Sequence, residues 1–351
     1  MDPRPADLTT VALWEGDGAL RLVEVPLPTL VQGEVLVRVR LATVCGSDRH
    51  TVSGRRSSPC PSVLGHEAVG EVVGLGPHGA PGDDGRPLEI GDRVVFGVTV
   101  ACGSCDRCLA GRSAKCRSVR KVGHEAFGSA WPLSGTYARH LVLPSGATVA
   151  RVPAGLPDLL AAPAGCATAT VMATIEAAGP LEGRRVLVSG AGMLGITAVA
   201  AARDAGADHV VVTDPDAERR ALALRFGATS ARDTDEPVGL VDVAIELSGA
   251  SPAVARCLEL LDLGGRLVLA GSVAPGPDVP VDAERVVRGW LTITGVHNYE
   301  PRHLRAALDL LERTRDHVPW DELVTPPVGL GDIGRLLAGH AATRPRAAVV
   351  P

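Results

Sequence analysis

Lysine is almost missing from this chain of 351 residues: only Lys115 and Lys121 occur, and the other 35 − 2 = 33 basic residues are arginine. Set beside heavy Ala, Gly, Pro and Val use, the deficit reads as the coding bias of a GC-rich genome and carries no function. There is no basic excess either. Acidic residues number 40 and the net charge is −5, which argues against nucleic-acid binding as the main activity. Aromatic residues supply only 3%, so the core has to be built from Val, Leu and Ala. Met1 to Thr10 show no basic segment leading into an apolar stretch. The most apolar segment, Leu159 to Gly179, is interrupted by Pro163, Gly165 and Glu176 and reads as buried, not membrane-spanning. A cytoplasmic protein without membrane contact is expected. Its 8 cysteines then point to metal or catalytic use instead of a disulfide framework.

What is present is ordinary globular composition, 46% hydrophobic and 21% charged, which excludes large-scale disorder. The first ~150 residues carry short β-type runs broken by Gly and Pro, such as Val35–Leu41, Ala68–Val73 and Asp92–Phe96. They suggest a compact barrel-like or folded sheet. Pro77 to Pro87 reads as a mobile loop whose Asp83-Asp84 pair is a solvated turn. From Leu181 the pattern changes to short apolar strands alternating with Ala/Leu-rich helices, which implies a parallel sheet covered on both faces. The helix Arg302–Arg313 and the final apolar run are expected to rejoin the first domain. The expected division is 1–165 with 300–351, and 166–299.

Gly190-Ala-Gly-Met193-Leu194-Gly195 is a G-x-G-x-x-G directly after a strand and opening a helix. Gly190 makes the tight turn, Gly192 lets the backbone approach a pyrophosphate, and Gly195 permits close helix packing. Asp214 ends the next strand, where a carboxylate accepts ribose hydroxyls and repels a 2′-phosphate. This favours NAD(H) over NADP(H), with Arg219 as a further contact on the adenosine side.

Cys102, Cys105, Cys108 and Cys116 place four thiols within fifteen residues. Four thiolates make a closed tetrahedral zinc site that holds a loop, although thiolate spacing alone also admits an iron–sulfur cluster. A wider set comprises Cys45 in Cys45-Gly-Ser-Asp-Arg-His50, His66-Glu67 in Gly65-His-Glu-Ala-Val-Gly70, and Cys166. A catalytic zinc needs three protein ligands and an open position, and Cys₂His is one such set.

Taken together, Cys45-Gly-Ser-Asp, Gly65-His-Glu with Gly70 and Gly76, Gly91-Asp-Arg-Val94, the four-cysteine lobe and the glycine fingerprint resemble the zinc-dependent alcohol dehydrogenases of the medium-chain dehydrogenase/reductase superfamily. The resemblance runs over essentially the whole chain. It implies an α/β protein: a GroES-like β-rich catalytic domain and a Rossmann doubly wound parallel-sheet domain. It implies two zinc ions per chain, NAD(H), and a homodimer or homotetramer, with the strand Leu291–Thr294 as a candidate interface edge. By the resemblance Cys45, His66 and Cys166 match the catalytic zinc ligands and Glu67 a carboxylate that can approach the metal. Asp48 matches the acid that orients His66, and Ser47 and His50 match the proton relay. Ser248, Gly271 and Val296 join the fingerprint as cofactor contacts. Zinc at such a set acts as a Lewis acid on an alcohol oxygen while hydride passes to nicotinamide.

The polar segments Arg120–Ala126 and Val296–Tyr299 fall where family members approach the substrate. They suggest a polyol, a hydroxy acid, or an alcohol or aldehyde bearing phosphate or phosphonate. The wording around Gly123–Ala126 and Pro163–Cys166 is similar to a subgroup found with phosphonate metabolism. A reductase of C=C or C=N bonds on the same fold is the alternative, and an NAD-binding sensor without turnover a third reading. Cys257 reads as core, and Cys60 as packing or as part of the cleft wall.

Overall fold

The computed structural model describes residues 7–16, 18–339 and 344–351; residues 1–6, part of the opening segment read for a leader, lie outside the described residues. The chain forms two compact units. One is Met1–Cys166 with Glu300–Glu312 and Trp320–Pro351, and the other is Ala167–Tyr299 with Arg313–Pro319. The second unit therefore takes a short late segment that the sequence assigned to the catalytic domain. One tie is Arg313, whose guanidinium lies 2.7 Å from Asp204 of the same unit.

In the first unit the strand Val35–Val44 organises an eight-stranded sheet. Its first half alternates buried Val35, Val37 and Val39 with outward Leu36, Arg38 and Arg40, and from Leu41 to Val44 every residue is buried. That change of pattern marks where the strand leaves a one-sided sheet and enters the interior. It pairs antiparallel with Ala68–Leu75, His140–Leu143 and Ala347–Val350, and Ala68–Leu75 pairs in turn with Arg93–Val100. A smaller sheet joins Leu8–Trp14 to Leu20–Pro26 and Ser62–Val63. The core is mainly Val, Leu and Ala, with Trp14, Phe96, Trp131 and Tyr137 as its large members.

The loop Pro77–Pro87, expected to be mobile, is tied down. Asp83 receives two hydrogen bonds from Arg305 at 2.8 and 2.6 Å. Asp84 pairs with Arg86 and Arg151, and Pro81 bridges Pro87. Three arginines claim these two carboxylates, so the pair is neither a solvated turn nor a metal site.

In the second unit six strands pair in parallel in the order Ser230–Arg232, His209–Thr213, Arg185–Ser189, Val241–Glu246, Leu261–Leu269 and Thr292–Gly295. This is the doubly wound order with its switch point beside Arg185–Ser189. The central strands are mostly apolar and, but for Arg185 and Asp242, fully buried, because both their faces are covered. The fifth strand, Leu261–Leu269, is interrupted near its start. Leu261 already pairs Val241 and the register shifts before Arg266 meets Val243; Gly264, at φ +73°, lies in the intervening segment. Among the described residues no single helix is long and apolar enough to cross a membrane. Cys257 is buried on the helix Ser251–Glu259, and burial pushes its thiol up to about 12.

Candidate metal centres and nucleotide site

Three segments of the first unit deliver the dispersed metal set. Cys45 follows the buried end of Val35–Val44 and precedes the helix Gly46–Val52, which carries Ser47, Asp48 and His50. His66 and Glu67 lie between Ser62–Val63 and Ala68–Leu75, after Gly65 at φ +92°. A Cβ on Gly65 would stand 2.4 Å from Thr136 Oγ1, so only glycine fits there. Cys166 follows the 3₁₀ turn Ala162–Gly165, and a Cβ on Gly165 would meet the Phe96 carbonyl at 2.3 Å.

The ligand atoms of Cys45, His66, Glu67 and Cys166 all lie within 4.8 Å of one another. His66 Nδ1 lies 3.2 Å from Asp48 Oδ1, which leaves Nε2 as the free ligand atom, and Ser47 Oγ is 3.4 Å from that nitrogen. Asp48 is fixed in turn by hydrogen bonds from the Cys45 backbone N–H at 3.1 Å and from Tyr137 Oη at 2.8 Å. His50 is exposed on the same helix as Ser47. Glu67 is fully buried. Arg346 Nε donates to its Oε2 at 2.9 Å, Arg346 also donates to Oε1 at 3.1 Å, and Thr43 Oγ1 donates to Oε2 at 2.7 Å. The same guanidinium reaches Cys45 Sγ at 3.5 Å.

The hydrogen bond with Cys166 holds the Cys45 thiol well below its ordinary range, with Arg346 and His66 adding to it, and the same bond and burial push Cys166 well above. Burial opposes protonation of His66, yet Asp48 and Cys45 outweigh it and raise the imidazole well above its usual value. Burial also raises Glu67 against the pull of Arg346. Two adjacent thiols pushed in opposite directions cannot both ionise without a cation, and a divalent ion removes that conflict. The donor set therefore fits a zinc ion.

The four-cysteine lobe fits one too. The four sulfurs lie within 4.8 Å of one another, and Cys105 Sγ is 3.5 Å from Cys108 Sγ and 4.0 Å from Cys116 Sγ. A tetrahedron with Zn–S bonds of ~2.3 Å has edges of roughly 3.8 Å. Backbone N–H groups of Cys102 and Ser118 donate to Cys116 Sγ at 3.3 and 3.4 Å. Hydrogen bonds from Ser104 bring Cys102 down to about 5, while burial and its sulfur neighbours push Cys108 up to about 12. Glu300 fastens the lobe by accepting the backbone N–H groups of Ser113 and Ala114 at 2.9 and 3.0 Å. Nothing at Glu300 in the sequence announced this. For Arg346 a signal was available: it directly precedes the apolar closing strand Ala347–Val350, where a charge drawn into the interior needs a buried partner.

In the second unit, Gly190, Asp214, Ser248, Gly271 and Val296 each follow the last residue of a parallel strand by one or two positions, and so share the carboxyl edge of the sheet. Gly190 has φ +96°, and a Cβ on Gly195 would lie 1.7 Å from its carbonyl. A Cβ on Gly192, which caps the helix Met193–Asp204, would meet nothing within 4 Å. That space is what a pyrophosphate needs. Met193 is buried beneath the turn and Leu194 half-buried. Asp214 is buried, accepting Ala191 N–H at 2.7 Å and Asp216 N–H at 2.9 Å, which fixes the carboxylate under the glycine turn. Arg219 turns to Asp216, 3.7 Å away. Gly271 and Gly249 pack backbone to backbone: a Cβ on Gly271 would lie 2.5 Å from Gly249 N. Glu246 was not singled out in the sequence. Its buried carboxylate accepts the N–H groups of Ser248 and Gly249 at 2.7 and 2.8 Å and shapes this edge.

The model of the alcohol dehydrogenase GroES-like domain matches residues 31–154, and that of the zinc-binding dehydrogenases matches residues 194–313. L-threonine 3-dehydrogenase of Edwardsiella ictaluri is 35% identical over 297 residues, 80% of this chain and 81% of that protein. An alcohol dehydrogenase from Thermotoga maritima superposes with a TM-score of 0.91 at 25% identity, covering 99% of this chain and 100% of its own. A zinc-binding dehydrogenase from Sinorhizobium meliloti, bound to NADP, does so with 0.87 at 27%, covering 98% and 100%. The chain belongs to the zinc-dependent alcohol dehydrogenases of the medium-chain dehydrogenase/reductase superfamily. Its chemistry is alcohol oxidoreduction with zinc and a nicotinamide cofactor.

Proposed function

We propose that this chain interconverts a polar alcohol and its aldehyde or ketone, using NAD(H) and two zinc ions. The observation that carries the reading is the convergence of Cys45, His66 and Cys166, with Ser47 against His66 and exposed His50 on the same helix. Cys45, His66 and Cys166 hold the catalytic ion; Cys102, Cys105, Cys108 and Cys116 hold the structural one. Bound there, zinc supplies Lewis acidity toward the substrate oxygen and the nicotinamide accepts or returns hydride. Asp48 orients His66 so that Nε2 faces the ion. Ser47 Oγ holds the proton of the substrate alcohol, and His50 exchanges it with solvent. Arg346 holds Glu67 as a charged, fully bonded carboxylate beside the ligands instead of among them.

Asp214 supports NAD(H), because a buried carboxylate fixed under the glycine turn accepts ribose hydroxyls and repels a 2′-phosphate. The strand Thr292–Gly295 is the outer strand of its sheet, and Trp290 just before it is 81% exposed. This edge is the proposed contact between subunits, to be checked by sedimentation of wild type and Trp290→Asp.

The test of function is cofactor absorbance in both directions on zinc-loaded protein. The panel holds neutral alcohols, polyols, hydroxy acids, L-threonine and phosphonate-bearing aldehydes, with NAD and NADP in parallel. Turnover with NAD, and a ~10-fold or greater shift of preference toward NADP in Asp214→Ser, is the expected result. A panel silent with zinc and NADH bound rejects the alcohol reading and favours C=C or C=N reduction.

A further inference from the structure

The chain has 2 tyrosines, and one of them, Tyr137, is fully buried in the core of the first unit. A phenylalanine would fill nearly the same volume and bring no hydroxyl into the interior, where a hydroxyl is costly unless it is bonded. This hydroxyl is bonded. Tyr137 Oη donates to Asp48 Oδ2 at 2.8 Å, joining two buried residues 89 positions apart in the chain.

The phenol is held there by its own segment. The Tyr137 backbone N–H donates to the Leu64 carbonyl at 3.1 Å, its carbonyl accepts the Ala12 N–H at 2.8 Å, and the Thr136 N–H donates to the Gly65 carbonyl at 3.0 Å. The ring lies against Gly65, where a Cβ would stand 2.8 Å from Cε1 and 2.9 Å from Cδ1. Gly65 therefore serves two ends. Its left-handed turn delivers His66, and its missing side chain leaves room for the ring whose hydroxyl reaches Asp48.

Asp48 has a use for a second donor. Its Oδ2 also accepts the Cys45 N–H at 3.1 Å, where the helix Gly46–Val52 begins, and its Oδ1 lies 3.2 Å from His66 Nδ1. That last approach is too oblique for a full hydrogen bond, so it is the contact most easily lost. One donor at Oδ2 leaves the carboxylate able to swing about that bond, and a second from a distant segment removes the freedom. We propose that Tyr137 is a positioning residue of the catalytic metal centre: its hydroxyl holds Asp48 so that Oδ1 stays on His66 Nδ1 and Nε2 stays turned toward the ion. The inference rests on the metal reading of Cys45, His66 and Cys166 and extends it to a buried chain of three side chains, Tyr137, Asp48 and His66.

Competition with a chromophoric chelator measures zinc affinity in wild type, Tyr137→Phe, Asp48→Asn and the double variant. Tyr137→Phe keeps the ring against Gly65 and is expected to weaken one of the two ions ~10-fold, leaving the lobe ion unchanged. The double variant is expected to lose no more than Asp48→Asn alone, because the hydroxyl acts only through Asp48. Cobalt in place of zinc gives a second readout: the visible bands of the dispersed site should shift in Tyr137→Phe, and should not shift when the same change is made on Asp48→Asn. Thermal melting of each variant separates packing from positioning. Unchanged zinc affinity in Tyr137→Phe, with or without a lower Tm, overturns the proposal and leaves the hydroxyl a core group. So does a double variant whose loss is the product of the two single losses. Wild type that binds a single ion, abolished in Cys108→Ser, rejects the metal reading itself and the proposal with it.

Discussion

The two cysteine sets of the first unit are built in opposite ways. Cys102 to Cys116 come from one loop, with Cys102 exposed and Cys105 and Cys108 half-buried. Cys45, His66 and Cys166 come from three distant segments, and Cys45 and His66 are buried. The loop set offers four soft ligands and no vacancy, so it stabilises a fold. On the proposed reading the dispersed set would offer three ligands, a neighbouring hydroxyl and a carboxylate bonded to Arg346, and so would keep a position open for chemistry. Spacing therefore separates a device for stability from a device for reaction.

Exchanging the damage between the sites is the strongest challenge to this contrast. His66→Ala is expected to lower kcat/KM by at least ~10³-fold and to reduce the zinc content from two ions to one, with only a small change in Tm. Cys108→Ser is expected to lose the other ion, to lower the melting temperature clearly, and to leave most activity per folded molecule. Metal analysis, calorimetric melting and steady-state rates on both variants decide it; a stable but inactive Cys108→Ser protein would remove the distinction.

Arg346→Ala sharpens the comparison. Glu67 would be left buried and charged without its partner, at a cost of about 3–5 kcal/mol measured by denaturant unfolding. No such charge is buried in the loop set, where neutralising Asp106, exposed and paired with Arg117, should leave stability essentially unchanged. A smaller effect than that of Arg346→Ala is expected of Asp48→Asn. The geometry at His66 survives while its charge partner is lost, so zinc affinity at the dispersed site should fall about 10–100-fold in competition with a chelator, with the lobe unaffected.

Much of this was legible before any coordinates. The strand expected just before Gly190 and the one expected to end at Asp214 are both there, as Arg185–Ser189 and His209–Thr213, because a buried parallel strand is a short apolar run between breakers. Less legible was Leu261–Leu269, where a pair of glycines falls inside the strand at a shift of register. The loop Pro77–Pro87 misled in the same way. Its composition is that of a mobile turn, but Arg305, more than two hundred residues later, holds Asp83.

What the sequence determined by itself is local: the cysteine spacing of the lobe, the glycine turn at Gly190–Gly195, and the β-type run Val35–Leu41 that leads to Cys45. These depend on neighbours within a turn or a strand, where φ, hydrogen bonding and side-chain period leave few choices. Only the tertiary structure decided that Arg346 pairs with Glu67, that Glu300 clamps the lobe, and that Arg305 holds Asp83. Each is a matter of charge and burial between residues far apart in the chain. An ion's energy depends on what surrounds it in three dimensions, and a list of residue types does not contain that information.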